Sequence, residues 1–109
     1  MTYDDKLAGR IRRLLSVHSG LSERRMFGGI AFLLYGNMCC GVTGTALMLR
    51  LGQAGADSAL DEPHVRPMDF TGKPMTTMVY VDPEGTADDD ELAGWVDRAV
   101  QFVSTLPAK

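Results

Sequence analysis

Hydrophobic positions recur with a helical period near both ends of the chain and with a strand period between them. Residues 4–18 predict a first helix whose apolar stripe holds Leu7, Ile11, Leu14 and Leu15. A last helix is predicted after Asp88, which is a good N-cap, and before Pro107. Its apolar side carries Leu92, Trp95, Val96, Ala99, Val100, Phe102, Val103 and Leu106. We expect this last helix to be the main cover of a sheet.

Between these helices, short β-prone segments are joined by turns too brief to hold crossover helices. The pattern predicts strands at residues 30–35, 38–42, 46–51, 65–70 and 75–81, with residues 25–27 as a candidate short first strand. A hairpin turn is predicted at Gly36-Asn37, and a weaker helix at residues 53–60. Because Pro67 lacks an N–H group, residues 65–70 form an edge strand or an extended loop. The expected fold is α+β, with two layers and a mainly antiparallel sheet.

Length and composition bound the size and class of the protein. The chain has 109 residues, 45% hydrophobic and 23% charged, so we expect a single domain over residues 1–109. The formal net charge of −3 argues against nucleic-acid binding by bulk attraction. The apolar runs are shorter than the roughly 20 residues that cross a bilayer, and residues 1–13 lack the features of a secretory signal. We therefore expect a cytoplasmic protein with no membrane partner.

The residue types that perform catalysis do not fall into a recognisable pattern. Cys39 and Cys40 are adjacent, so on a strand they point to opposite faces and cannot pair. We expect one of them to be buried and the other partly exposed. The spacings of phosphate loops, zinc sites and calcium loops are missing from the sequence. The sequence thus predicts a non-enzymatic protein with no catalytic residue, no cofactor and no metal site.

Basic side chains suggest two alternative functions. Lys6, Arg10 and Arg13 share a face of the first helix, which is the basis for nucleic-acid binding whose affinity would fall steeply with salt. A small anionic ligand is the other alternative, held by Arg25 and Arg66 near the cysteine strand if their two irregular segments are neighbours. The structural explanation for these arginines is an internal ion pair, such as one with Asp69.

Charge is divided between the two ends of the chain. Residues 1–25 carry a net charge of +3, whereas residues 82–109 carry −5. Solvated faces explain most such patterns, but this one also suits head-to-tail contact between helices or partners.

Three motifs, in this order, resemble the N-terminal domain of the TfoX/Sxy competence regulators. They are Arg24-Arg25-Met26-Phe27-Gly28-Gly29, Gly36-Asn37-Met38-Cys39-Cys40-Gly41-Val42 and Arg66-Pro67-Met68-Asp69-Phe70-Thr71-Gly72-Lys73-Pro74-Met75. The resemblance covers nearly the whole chain, including the Trp95 helix and the Leu106-Pro107 ending. It implies a fold similar to that of type III secretion chaperones, in the order helix, three strands, helix, two strands, helix.

The resemblance also carries expectations about function. Members of the family include regulators that assist the cyclic-AMP receptor protein at competence promoters through protein contact. Those regulators have a second, helical domain similar to helix-hairpin-helix DNA binders, and this chain stops where that domain would begin. We therefore expect a protein-interaction module that forms a homodimer and contacts a transcription factor, without direct nucleic-acid binding. The candidate contact or ligand surface consists of Arg24, Arg25, Phe27, Asn37, Arg66, Asp69 and Lys73.

Overall fold

The computed structural model describes residues 3–26, 28–70 and 72–108, which form three α-helices and one six-stranded antiparallel sheet. The elements are α1 (Asp5–Leu15), β1 (Leu21–Met26), β2 (Gly29–Leu34), β3 (Asn37–Thr43), β4 (Ala46–Arg50), α2 (Gly52–Ala59), β5 (Val65–Phe70), β6 (Lys73–Val81) and α3 (Asp89–Val103). A single 3-10 turn, Pro83–Gly85, precedes α3. The predicted α+β class with an antiparallel sheet is confirmed.

The strands lie in the order β1-β2-β3-β4-β6-β5, so β1 and β5 are the two edges of the sheet. The position of β5 confirms that Pro67 belongs to an edge strand. Four strands precede α2, one more than the predicted order contains, because β1 extends back to Leu21. Its four central residues are polar and exposed, so the strand has no hydrophobic alternation, and pairing with the apolar β2 defines it.

The turn between β2 and β3 lies one residue earlier than the sequence predicted. Tyr35 and Gly36 occupy the two turn positions with φ values of 52° and 85°. A two-residue type I′ turn requires positive φ at both positions, which a glycine adopts without strain. Asn37 is therefore the first residue of β3 and not part of the turn.

The buried side chains of all three helices pack on one face of the sheet. This core contains Ile11 of α1, Ala56 of α2 and Val96 of α3, together with Phe32 and Leu49 of the sheet. Both helical stripes predicted from the sequence contribute, with two exceptions, Leu106 and Leu14. Leu106 lies beyond the end of α3 at Val103 and is not part of this core. Leu14 is 37% exposed, because it lies at the edge of the arc that Ile11 and Leu15 bury.

The other face of the sheet carries a second cluster, to which no helical residue of the described chain contributes. Its buried members are Ala31, Leu33, Met38, Met48, Met68 and Met78. Long methionine side chains lie across this face, and the terminal methyl of Met48 sits 2.9 Å from the position that a Cβ on Gly41 would occupy. The sheet is therefore covered by helices on one face and by its own side chains on the other.

Both cysteines are fully buried, so the prediction that one of them is partly exposed is wrong. β3 is a central strand whose two faces are both covered. The pairing between β2 and β3 also shifts register, from Phe32 opposite Cys40 to Leu33 opposite Met38, which leaves Cys39 in a bulge. Both sulfurs are thus enclosed in the helix-covered core.

Candidate functional site

The three arginines of the predicted contact surface do not come together. Arg24 and Arg25 are consecutive residues of β1, opposite Ala31 and Ile30, so their side chains leave opposite faces of the sheet. Arg66 lies on β5, at the other edge. Five strand spacings separate these edges, a distance of about 24 Å. The two irregular segments are therefore not neighbours, and the anion site that required their contact does not form.

Arg66 forms an internal ion pair, with Asp82 and not with Asp69. Its Nε donates to both carboxylate oxygens of Asp82 at 2.9 and 3.0 Å, and its Nη2 lies 2.8 Å from Oδ1. The guanidinium carbon also lies 5.0 Å from the centre of the Tyr80 ring. The hydrogen bonds from Arg66 hold the pKa of Asp82 below its ordinary value. This pair fastens the edge strand β5 to the end of β6.

The remaining members of the predicted surface are dispersed. Asn37 is buried, and its side-chain amide donates to the carbonyl of Pro107 at 2.8 Å, which holds the segment after α3 against the sheet. Asp69 is exposed on β5, and Lys73 is the first residue of β6. Phe27 lies outside the described residues. Because Asn37 is buried and bonded to the carbonyl of Pro107, its side chain serves the fold at this position.

The basic face of α1 is partly neutralised by the acidic start of α3. Arg10 donates to the Asp89 carboxylate at 2.9 Å and to the carbonyl of Thr86 at 2.8 Å, so it joins the two helices. Lys6 and Arg13 remain exposed on either side of it. Because one of its three cations is used internally beside a run of acids, this face is a poor match for a phosphate backbone.

Neither cysteine is accessible from solvent, because both are fully buried. A hydrogen bond with Cys39 and complete burial raise the pKa of the Cys40 thiol well above its ordinary value. The thiol is therefore protonated at neutral pH, whereas a reactive cysteine needs a thiolate. The ligand or enzyme site suggested near this strand has no support in the geometry.

Three apolar side chains at or next to the end of α1 are exposed, and we call them the α1-end patch. They are Leu14 (37%) in the last turn of the helix, Val17 (82%) just after it and Tyr35 (53%) in the β2–β3 turn, and Leu14 also borders a second groove beside Arg13 and Leu92. Tyr35 is held beside the end of α1 because its hydroxyl lies 3.0 Å from Ser19 Oγ and its N–H donates to the carbonyl of Gly20 at 2.9 Å. A groove of about 170 Å³ adjoins it, lined in part by His18, Tyr35 and Leu106.

A larger cleft, of about 470 Å³, opens between the loop after α2, the 3-10 turn and α3. Its charged and aromatic lining residues are Glu62, His64, Glu84, Glu91, Trp95 and Arg98. Arg98 Nη1 donates to Glu62 Oε2 at 2.7 Å, and the guanidinium carbon lies 4.4 Å from the centre of the Trp95 ring. We call this feature the acidic cleft, since it has three carboxylates and one guanidinium.

Neither surface was predicted from the sequence. Leu14 was assigned to the core, and Tyr35 reaches the end of α1 only through the β2–β3 turn. The glutamates of the acidic cleft are up to 29 positions apart in the chain, and Glu91 was explained by the start of the last helix. The signal in the sequence is the excess of acidic residues at 82–91, but the proximity of Glu62 to them depends on the path of the chain through β5 and β6.

Comparison with known proteins gives one positive finding. The model of the TfoX N-terminal domain matches residues 13–103 of the chain, which include all six strands. Comparison with curated proteins found no match. Within residues 3–26, 28–70 and 72–108, no helix is long and apolar enough to cross a membrane. In the same ranges, no three side chains of His, Cys, Asp or Glu are grouped as a metal site would need.

Proposed function

Because the chain belongs to the TfoX N-terminal domain family, we propose that it is a non-enzymatic protein-interaction module that acts in transcription regulation. It functions in the cytoplasm as a homodimer and contacts a transcription factor. The observation that carries this proposal is the α1-end patch, because neighbouring exposed apolar side chains mark interaction sites on soluble proteins. The family supplies the setting, and the patch supplies the surface.

A second copy of the chain suits this patch on grounds of charge. Leu14, Val17 and Tyr35 add nothing to the formal charge, so two patches can meet around a two-fold axis with no like charges among the side chains that define them. The basic face of α1 and the acidic cleft would each repel their own copies. Burying a large apolar side chain contributes roughly 1.5 to 3 kcal/mol. In a two-fold dimer each of these residues is buried once in each copy. The patch is thus the surface where dimer formation gains most.

The test is to measure the association state by analytical ultracentrifugation over a range of protein concentrations. We expect a dimer that dissociates on dilution, and a shift towards monomer in Val17→Ser. Leu14→Ser and Leu60→Ser form a matched pair, because Leu60 is 38% exposed but belongs to α2's end and not to the patch. Only Leu14→Ser should weaken the dimer.

Two results would overturn the proposal. One is a wild-type protein that stays monomeric at every concentration, and the other is equal weakening by Leu14→Ser and Leu60→Ser. The transcription-factor contact is tested separately, by capture from a native lysate with wild type and Val17→Ser as baits. Recovery of no transcription regulator by either bait would contradict that part.

A further inference from the structure

We propose that the acidic cleft binds an arginine or lysine side chain within a basic segment of a partner protein. The inference rests on the proposed interaction function, but it concerns a surface separate from the α1-end patch. It extends that function by assigning the chemistry of the partner.

The charge of the cleft selects a cation. Glu62, Glu84 and Glu91 stand against a single guanidinium, an excess of two negative charges when His64 is neutral. Arg98 is already bound to Glu62, whereas Glu84 and Glu91 accept no side-chain hydrogen bond from the described residues. These two carboxylates can accept the paired N–H groups of an incoming guanidinium, or those of an ammonium. An anion would be repelled.

The extent of the acidic surface favours a peptide segment over a small free amine. Residues 82–91 contain six acidic residues and no basic one, and Asp61 precedes Glu62 on the opposite wall. Asp82 and Asp89 are paired with arginines of the chain, and the others are exposed. A run of carboxylates that continues beyond the cleft complements several basic residues of a segment, not one compact molecule.

The walls of the cleft are fixed before any ligand arrives. Arg98 is held by Glu62 at 2.7 Å and by the Trp95 ring at 4.4 Å. His64 has a left-handed backbone, with φ of 68°, and its carbonyl accepts from the N–H of Asp82 at 2.8 Å. Gly85 allows close approach, since a Cβ there would lie 2.7 Å from Cγ1 of Val81 and 3.2 Å from the Cβ of His64. A preformed site loses less conformational entropy on binding.

The size of the cleft fits this ligand. Its volume of about 470 Å³ lies within the usual range of ligand pockets and admits a long side chain with part of its backbone. Gly94 leaves one wall without a side chain, and a Cβ added there would meet no atom within 4 Å. A larger residue at this position would therefore project from the wall without disturbing the protein interior.

Trp95 gives the experiment a local signal. It is the only tryptophan of the chain, and it lines the cleft at the edge of the core, so its emission responds to changes at this site. The probe is an acetylated and amidated pentapeptide of alternating glycine and arginine, titrated into the wild-type protein. We expect a saturable change in emission and a matching isotherm by titration calorimetry. The affinity should fall as salt is added.

Charge variants identify the carboxylates. The double variant Glu84→Gln, Glu91→Gln should weaken binding about tenfold or more, because two charge-assisted contacts are lost. Asp97→Asn is the control for one charge on the same helix. Asp97 lies outside the cleft and accepts a hydrogen bond from Gln101, so its substitution should leave the affinity nearly unchanged.

A second pair of variants tests the shape of the site independently of charge. Gly94→Leu should abolish binding measured by calorimetry, while Gly9→Leu in α1 should not affect it. Both glycines lie in helices and have no atom within 4 Å of an added Cβ. Since leucine is a better helix former than glycine, both variants should fold.

Several results would overturn the inference. The first is the absence of a saturable response to the peptide. The second is a loss of affinity in Asp97→Asn as large, per charge removed, as in the double variant Glu84→Gln, Glu91→Gln. The third is a loss of affinity in Gly9→Leu as large as in Gly94→Leu. Binding of free spermidine as tight as that of the peptide, and lost in the same variants, would replace the segment by a small amine. Dissociation of the dimer by Gly94→Leu would assign the cleft to a second copy. Failure of the dimer proposal is distinct, because Val17→Ser should leave peptide binding intact.

Discussion

Trp95 provides the most direct test of the core, because removing its side chain separates α3 from the sheet at one point. The ring is 8% exposed and belongs to the helix-covered core with Leu92, Val96 and Ala99. Replacing a buried Trp or Phe by Ala costs about 3 to 5 kcal/mol through lost burial and the cavity left behind. The ring also borders the acidic cleft, so water can enter part of that cavity. We therefore expect a loss of about 3 kcal/mol for Trp95→Ala.

This loss can be measured by urea denaturation and by thermal melting followed by circular dichroism. For a domain of this size, about 3 kcal/mol lowers the melting temperature by roughly 12 to 24 °C. Trp95→Phe is the control, since it keeps a ring in the core and should cost clearly less. A loss below about 1 kcal/mol for Trp95→Ala would mean that the ring is not in the core. Such a result would also mean that the Trp95 ring does not form the aromatic wall of the acidic cleft.

Two further predictions concern ionisable groups. Arg66 lowers the pKa of Asp82 in the folded protein. The stabilisation from this pair is therefore fully present above the pKa that Asp82 has in the unfolded chain. It is lost as the pH falls through the lower pKa that Asp82 has in the folded protein. Asp82→Asn should therefore lower the free energy of unfolding, measured by urea denaturation, by up to about 1 kcal/mol near neutral pH. In strong acid it should not change this free energy. A loss that is independent of pH would contradict the prediction. A thiol-exchange reagent should label neither cysteine in the native protein and both after unfolding, because Cys39 and Cys40 are buried. Rapid native labelling would contradict the described core.

The elements that could be predicted from the sequence are those whose pattern depends only on nearby residues of the chain. The stripes of α1 and α3 have a helical period, and Pro67 identifies an edge strand, because these signals depend on local geometry alone. β1 was only partly predicted, since its exposed polar residues show no alternation. The β2–β3 turn was predicted one residue too late. Asparagine and glycine both favour such turns, and only the pairing of β3 with β2 shows that Asn37 belongs to the strand.

Sites were harder to predict than elements, because they depend on which strands are neighbours. Arg24 and Arg25 are adjacent in the chain and therefore diverge on a strand. Arg66 and Asp82 are 16 residues apart and meet through the pairing of β5 with β6. Sequence spacing suggested Asp69 as the partner of Arg66, since it could not show this register.

The division of charge along the chain has two structural consequences. Part of it is used internally, where Arg10 of α1 reaches Asp89 at the start of α3. The rest leaves an acidic surface around Glu84 and Glu91, next to the first turns of α3. The contact between α1 and α3 is thus one between a basic and an acidic helix, and it explains why the charge totals alone do not give a basic nucleic-acid face.

The two surfaces are placed so that both can be occupied at once. Trp95 lines the acidic cleft, whereas Val103 lines the groove beside the α1-end patch, and both belong to α3. Eight residues of helix separate them, a rise of about 12 Å. A dimer contact centred on Tyr35, which lines the same groove as Val103, would therefore leave the acidic clefts of both copies open. Because the two clefts would then be displayed in pairs, a partner with two basic segments would bind the dimer more tightly than the monomer.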